Sequence, residues 1–144
     1  MQKTTLSDLS LEDLLPHRSP MMLVEKILEV DAEHAVTLCR AADSWPMVDD
    51  GGVHPLILIE LAAQTAGVCN GWDRVQTKGL DSNKMGWLVG VKKAELFIDY
   101  LPLGSVIISS AENSYKFESL REVACRQHLD GRLIGSMTLQ LFQA

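Results

Sequence analysis

Residues 55 to about 74, PLILIELAAQTAGVCNGWDR, restrict the fold of this chain more than any other stretch. After Pro55 the segment has no proline and is rich in Ala, Leu and Ile. Pro55 itself suits the first helical position, where its missing N–H costs nothing. A helix is therefore predicted here. Leu56, Ile57, Leu58, Ile59, Leu61, Ala62, Ala63, Ala66 and Val68 point in nearly every direction of a helical wheel. Such a helix has no polar side to offer water and has to be wrapped by the rest of the chain.

The flanking sequence supplies the wrapping. Residues 21–30 and 35–40 have β-like patterns joined by the turn chemistry of DAEH, a first hairpin. Residues 43–53, DSWPMVDDGGV, concentrate Asp, Pro and Gly and read as a loop. Downstream, residues 86–98, 105–113, 115–128 and 132–142 read as strands, with Pro102 and Gly104, then Asp130 and Gly131, at breaks between them. Ahead of all this, SDLSLEDLL (residues 7–15) reads as a short helix capped by Ser7 or Ser10 and stopped by Pro16. A chain of 144 residues with 47% hydrophobic content closes one core, not two. The predicted class is α+β: an antiparallel sheet curled around a central helix in a single domain, residues 1–144. A curled sheet leaves two open edges, which predicts at least a homodimer joined edge to edge.

Charge and cysteine usage exclude several partners. A net charge of −6 with pI near 5.1 is the wrong sign for a nucleic-acid protein, whose affinity comes from clustered Lys and Arg. A local patch such as Lys92 and Lys93 still allows an acidic protein partner. No long uninterrupted apolar run is present and the N-terminus is acidic where a secretory signal is basic, so a cytoplasmic protein with no membrane partner is expected. Cys39, Cys69 and Cys125 form no CxxC pair; they are read as reduced thiols, and no metal is expected.

Glu60 is the leading functional candidate, because a carboxylate inside an apolar run costs several kcal/mol to bury unless it is paired, protonated or working. Gln64 lies one turn later on the same face and is read as an orienting, substrate-side residue. His54 sits at the helix start, where the positive end of the dipole favours a neutral ring able to accept a proton, and is read as a candidate base. His54 and Glu60 are about 240° apart round the wheel, so a partnership between them has to cross a dimer interface. His17 is read chiefly as a packing or hydrogen-bonding residue at the turn into the first strand, with substrate contact as its functional reading. His34 and His128 are read as solvated turn and strand-end residues, and Met21 and Met22 as core.

The segments LLPHRSPMMLVEKILEVD (14–31), HPLILIELAAQTAG (54–67), GWLVGVKKAELF (86–97) and DGRLIGSMTLQLF (130–142) resemble, in order, the FabZ/FabA group of 3-hydroxyacyl-[acyl carrier protein] dehydratases, and in particular an aryl-polyene-type subgroup. The resemblance covers most of the chain and implies a dimeric hotdog fold. It also implies the removal of water from a 3-hydroxyacyl thioester carried on the phosphopantetheine of acyl carrier protein or on CoA, with no further cofactor. In that family a His takes the α proton, a carboxylate on the neighbouring subunit's central helix helps the hydroxyl leave, and backbone N–H groups polarise the thioester carbonyl.

This chain departs from that pattern at one point. The family's His precedes the central helix in a His-Phe-Pro-Gly stretch; by spacing from Glu60 its place falls on Pro46, and by the aromatic-Pro pair on Ser44, ahead of Trp45-Pro46. Neither is a base. Three activities follow as expectations: a dehydratase with Glu60 as acid/base and His54 as a relocated base; a thioesterase in which Glu60 activates water or attacks the thioester carbonyl; and a non-catalytic acyl-binding subunit paired with an active paralogue.

Overall fold

A computed structural model describes residues 5–143, and its axis is the predicted helix. Here α1 is the short helix Leu11–Leu14 and α2 the long one, Ile57–Lys78, of 22 residues, about 33 Å at 1.5 Å per residue. Regular helix begins two residues after the predicted start, because Pro55 and Leu56 form a tighter turn: the N–H groups of Ile57, Leu58 and Ile59 donate to the carbonyls of His54, Pro55 and Leu56 at 3.0, 3.0 and 3.1 Å. It continues one turn beyond Arg74. Gly79 then takes a positive φ of 91° and closes the end with a bond from its N–H to the Val75 carbonyl.

The strands among the described residues are, in chain order, β1 (Val24–Val30), β2 (His34–Arg40), β3 (Val48–Asp49), β4 (Gly52–Val53), β5 (Gly86–Leu96), β6 (Leu101–Pro102), β7 (Val106–Phe117), β8 (Leu120–Leu129) and β9 (Arg132–Gln143). Six form one antiparallel sheet in the order β1-β2-β7-β8-β9-β5, curled over α2. The α+β hotdog arrangement implied by the sequence is present. The other three make a small sheet, β3-β4-β6, within and beside the segment read as a plain loop. That segment is anchored: Trp45 is buried in the core, and Val53 pairs with both Val48 and Leu101.

Two boundaries differ from the sequence reading. The break placed at Ser114 is a bulge inside β7, while the chain reverses at Glu118 and Ser119, with Glu118 at φ 52°. The short N-terminal helix is two capped turns, a 3-10 turn at Leu6–Asp8 and then α1, separated by extended backbone at Leu9 and Ser10. Ser10 is the α1 cap, its N–H bonded to Asp13 Oδ2 at 2.8 Å; Ser7 lies inside the 3-10 turn.

The core lies between α2 and the concave face of the sheet, with Leu58, Leu61, Ala62 and Ala66 against Ile107, Val123 and Leu139. A hydroxyl cluster crosses it. Thr65 Oγ1 lies 2.9 Å from the Leu61 carbonyl, 2.9 Å from Ser109 Oγ and 3.0 Å from Thr37 Oγ1, all fully buried, so α2 is tied to β2 and β7 at one depth and register. The three cysteines are free and buried, and burial pushes each thiol up to about 12. No helix among the described residues is long and apolar enough to cross a membrane.

The helix is not wrapped all round by its own chain, contrary to the sequence expectation. Glu60, Ala63 and Gly67, successive along one face, remain only half-buried. The sheet curls over the other faces but its last strand, β5, barely reaches the helix and is exposed along most of its length. Register places Leu88, Val91 and Ala94 opposite Leu141, Leu139 and Met137, hence on the concave side, where their own chain covers them only in part.

Candidate active site

The open stripe of α2 forms one wall of a groove. Its other walls are the end of α1 with the following turn (Leu14 to His17) and the start of β5 beside the end of β9, enclosing about 130 Å³. Glu60 stands at one end. The carboxylate comes from the first turn of α2, so the helix fixes its backbone, while two partners from its surroundings fix its side chain.

The first partner is Gln64, one turn on. Its Nε2 donates to Glu60 Oε1 at 3.0 Å and to the Met21 carbonyl at 2.6 Å, and its Oε1 accepts from Leu23 N–H at 2.9 Å. Gln64 is wholly buried and fully engaged. It does not line the groove, so the substrate-side role expected for it is replaced by a positioning one: it locks the approach to β1 onto α2 and aims Glu60. The second partner is His17, whose Nε2 lies 3.1 Å from the same Glu60 oxygen. Arg18 braces this turn through Nη1 bonds to the carbonyls of Leu15 and His17 at 3.0 and 2.7 Å.

Burial raises the Glu60 pKa, whereas the hydrogen bonds from His17 and Gln64 and the attraction of the His17 ring lower it. The lowering prevails and the carboxyl stays below its usual range. Glu60 is thus an ionised carboxylate at neutral pH, with Oε1 occupied and, among the described residues, no bond to Oε2, able to receive a proton or to hydrogen-bond a hydroxyl. His17 Nδ1 is buried with no hydrogen-bond partner among the described residues.

His54 lies outside its own chain's groove, so its expected partnership with Glu60 is one that has to cross a dimer interface. It is exposed, and its Nδ1 accepts the Leu56 N–H at 3.1 Å. The ring caps the turn that opens α2. Ser44 is exposed and Pro46 half-buried, so the segment that carries the family's His offers no base. His17, read as a packing or hydrogen-bonding residue at the turn into the first strand, has Glu60 as its hydrogen-bonding partner. Sequence reasoning also missed the positive charge of the groove, which Arg74, Lys84 and Arg121 bring from three separate elements. No cluster of metal-ligating side chains is found among the described residues.

A six-stranded antiparallel sheet curled over one long central helix, with a carboxylate presented from the first turn of that helix into a side groove, defines a hotdog-fold protein. The chain belongs to the ApeP-like family, described as ApeP dehydratase, whose model matches residues 9–144. The 3-hydroxyacyl-[acyl-carrier-protein] dehydratase FabZ of Streptococcus uberis is 29% identical over 134 residues, 90% of this chain and 91% of the relative. The dehydratase heterocomplex ApeI:P from Xenorhabdus doucetiae contains a chain that superposes with a TM-score of 0.86 at 24% identity, covering 94% of this chain and 91% of that one. A hypothetical thioesterase from Streptococcus pneumoniae, solved with coenzyme A, shares the fold at a TM-score of 0.60 and 16% identity over 81% of this chain and 83% of its own.

Proposed function

We propose that this protein is one subunit of a two-chain dehydratase that interconverts 3-hydroxyacyl and 2-enoyl thioesters carried on acyl carrier protein or CoA, with no further cofactor. The single observation that carries this reading is the Glu60 carboxylate, held ionised at the groove by His17 and Gln64 with one oxygen open. In dehydration the Cα–H and Cβ–O bonds break, the C=C bond forms, and the proton removed from Cα leaves with the hydroxyl as water. Glu60, being ionised, suits the hydroxyl side of that exchange by accepting its hydrogen bond and orienting it, while the base that takes the Cα proton returns it to the departing hydroxyl, with His17 beside Glu60 to steady the carboxylate.

The α-proton base is missing from residues 44–46, and this supports a site completed by a second chain. The long exposed edge β5, with half-covered apolar residues on its concave side, is where a second hotdog sheet would join. His54 of a second copy is one source of the base; a like-folded partner that retains the usual His is the other, and the heterocomplex named among the structural relatives favours it.

The test is to incubate the purified chain with 3-hydroxyacyl thioesters, alone and with a like-folded partner, and to follow enoyl product and free thiol. Enoyl formation is expected with the partner present and lost in Glu60→Gln. Enoyl formation by the chain alone, abolished in His54→Ala, would assign the base to a second copy of this chain. Release of free thiol as the main product would overturn the dehydratase reading in favour of a thioesterase.

A further inference from the structure

The groove that begins at Glu60 continues along α2 to Arg74, fourteen residues or about 21 Å of helix rise. Its middle is mostly apolar: Ala63 and Gly67 on the helix and Leu88 and Leu141 on the sheet line it, with Asn70 the polar side chain between Gly67 and Arg74, its Oδ1 taken by Asn113. A pantetheine arm, with two amides and a hydroxyl, would find few hydrogen-bond partners on Ala63, Gly67, Leu88 and Leu141, so that stretch suits hydrocarbon. The far end is different. Arg74, Lys84 and Arg121 all line it, in a protein of net charge −6, and among the described residues none of the three forms an ion pair.

Each cation is instead held by backbone. Arg74 is buried and donates to Ser82 O and Oγ and to the Asp13 carbonyl, Lys84 donates to the Glu12 carbonyl at 2.9 Å, and Arg121 Nη1 donates to the carbonyls of Glu118 and Leu120. Arg121 Nε is buried with no partner. Asp13, whose charge is felt by Arg74 and Lys84, has its carboxylate engaged in capping Ser10. Three fixed positive groups, one with an unused buried N–H, would gain nothing from a tail that ends in a methyl group, because it offers them no acceptor.

We infer that the groove accepts an acyl tail whose far end carries an anionic oxygen acceptor, a carboxylate in the simplest case, received by Arg121 and Lys84 over a floor set by Arg74. This rests on the reading of Glu60 as the thioester end of the groove and adds the chemistry of the other end. At about 1.2 Å per extended bond, from the 3.6 Å span of a three-bond residue, a tail of about seventeen bonds bridges the two ends.

The experiment compares binding and turnover of two 3-hydroxyacyl pantetheine thioesters of equal length, one ending in carboxylate and one in methyl, across a series of tail lengths, in the assembled complex. The expected result is a preference for the carboxylate of about ten-fold, confined to tails long enough to reach, collapsing in Arg121→Gln with Lys84→Gln and kept in Arg121→Lys. Equal affinity for the two tails at every length would overturn the inference, as would a preference that survives the double substitution. Weakened subunit association in the double variant, with the tail preference of the reassembled complex unchanged, would also overturn it and assign the cations to the interface. A 3-hydroxybutyryl thioester, too short to reach the cations, reports on the dehydratase reading separately. If it is not turned over while long carboxylate tails still bind through Arg121 and Lys84, the subsite stands and the dehydratase reading falls.

Discussion

His17 Nε2 lies 3.1 Å from Glu60 Oε1, which joins the turn after α1 to the first turn of α2 and leaves the other carboxylate oxygen open to the groove. A carboxyl whose folded pKa is depressed contributes stability that is fully present above its unfolded value and is lost as pH falls through the folded one. For Glu60 the window opens below the ordinary value of 4.5. Glu60→Gln is expected to flatten the fall of stability with acid in that range, measured by urea unfolding at a series of pH values. An unchanged slope would mean that the pair contributes nothing to folding.

Gln64→Leu tests the positioning role. The substitution keeps bulk but leaves Leu23 N–H and the Met21 carbonyl without their partner, at a cost of about 1–3 kcal/mol for buried groups left unpaired. Glu60 loses one of the bonds that hold it ionised, so its pKa should rise, which an NMR titration of the carboxyl reads directly. Stability loss with no change in the Glu60 titration would confine Gln64 to a structural role.

Gly71 permits the close packing of α1 on α2. A Cβ at this position would come within 2.4 Å of the Leu14 carbonyl, which is backbone and cannot swing away. Gly71→Ala should destabilise the fold by about 1–3 kcal/mol and raise hydrogen exchange over residues 11–17 before it does so in the sheet. Wild-type exchange in that segment would show that α1 tolerates the shift.

His34 clamps the β1–β2 turn, with Nδ1 2.8 Å from Asp31 Oδ2 and Nε2 3.2 Å from Glu29 Oε2. The bond to Glu29 raises its pKa, burial opposes this, and the Asp31 contact adds to the rise. A raised histidine contributes stability that is complete below the unfolded value of 6.5 and is lost as pH climbs through the folded value. The side chain is 39% exposed, so the effect should stay below about 1 kcal/mol. His34→Gln should remove the part of the stability that is lost as pH rises above 6.5, read from unfolding curves on either side of that value.

The sheet and helix were legible where the pattern was local. The apolar run after Pro55 is α2, and Asp130-Gly131, with φ of 50° and 77°, is the turn its composition announced. The β7–β8 reversal was not legible, because Glu118 and Ser119 lack the usual turn residues, while the bulge at Ser114 imitates a break. Glu60 stood out because a carboxylate is conspicuous among leucines. Its bond to His17 did not, because no periodicity links a turn at the N-terminus to a face of α2. His54 drew attention through its sequence neighbourhood, yet that neighbourhood is what occupies its Nδ1. The positive end of the groove depends on three elements meeting in space, and none of them is basic alone.

Within this chain two contacts hold Glu60: His17 from the turn before β1, and Gln64 anchored on Met21 and Leu23. Neither contact depends on the identity of the chain across β5. After gene duplication, one copy could therefore lose its base-bearing loop without disturbing the acid it lends, and selection would act on the two halves of the site separately. Division of labour between paralogous subunits is the route that such self-sufficient wiring leaves open.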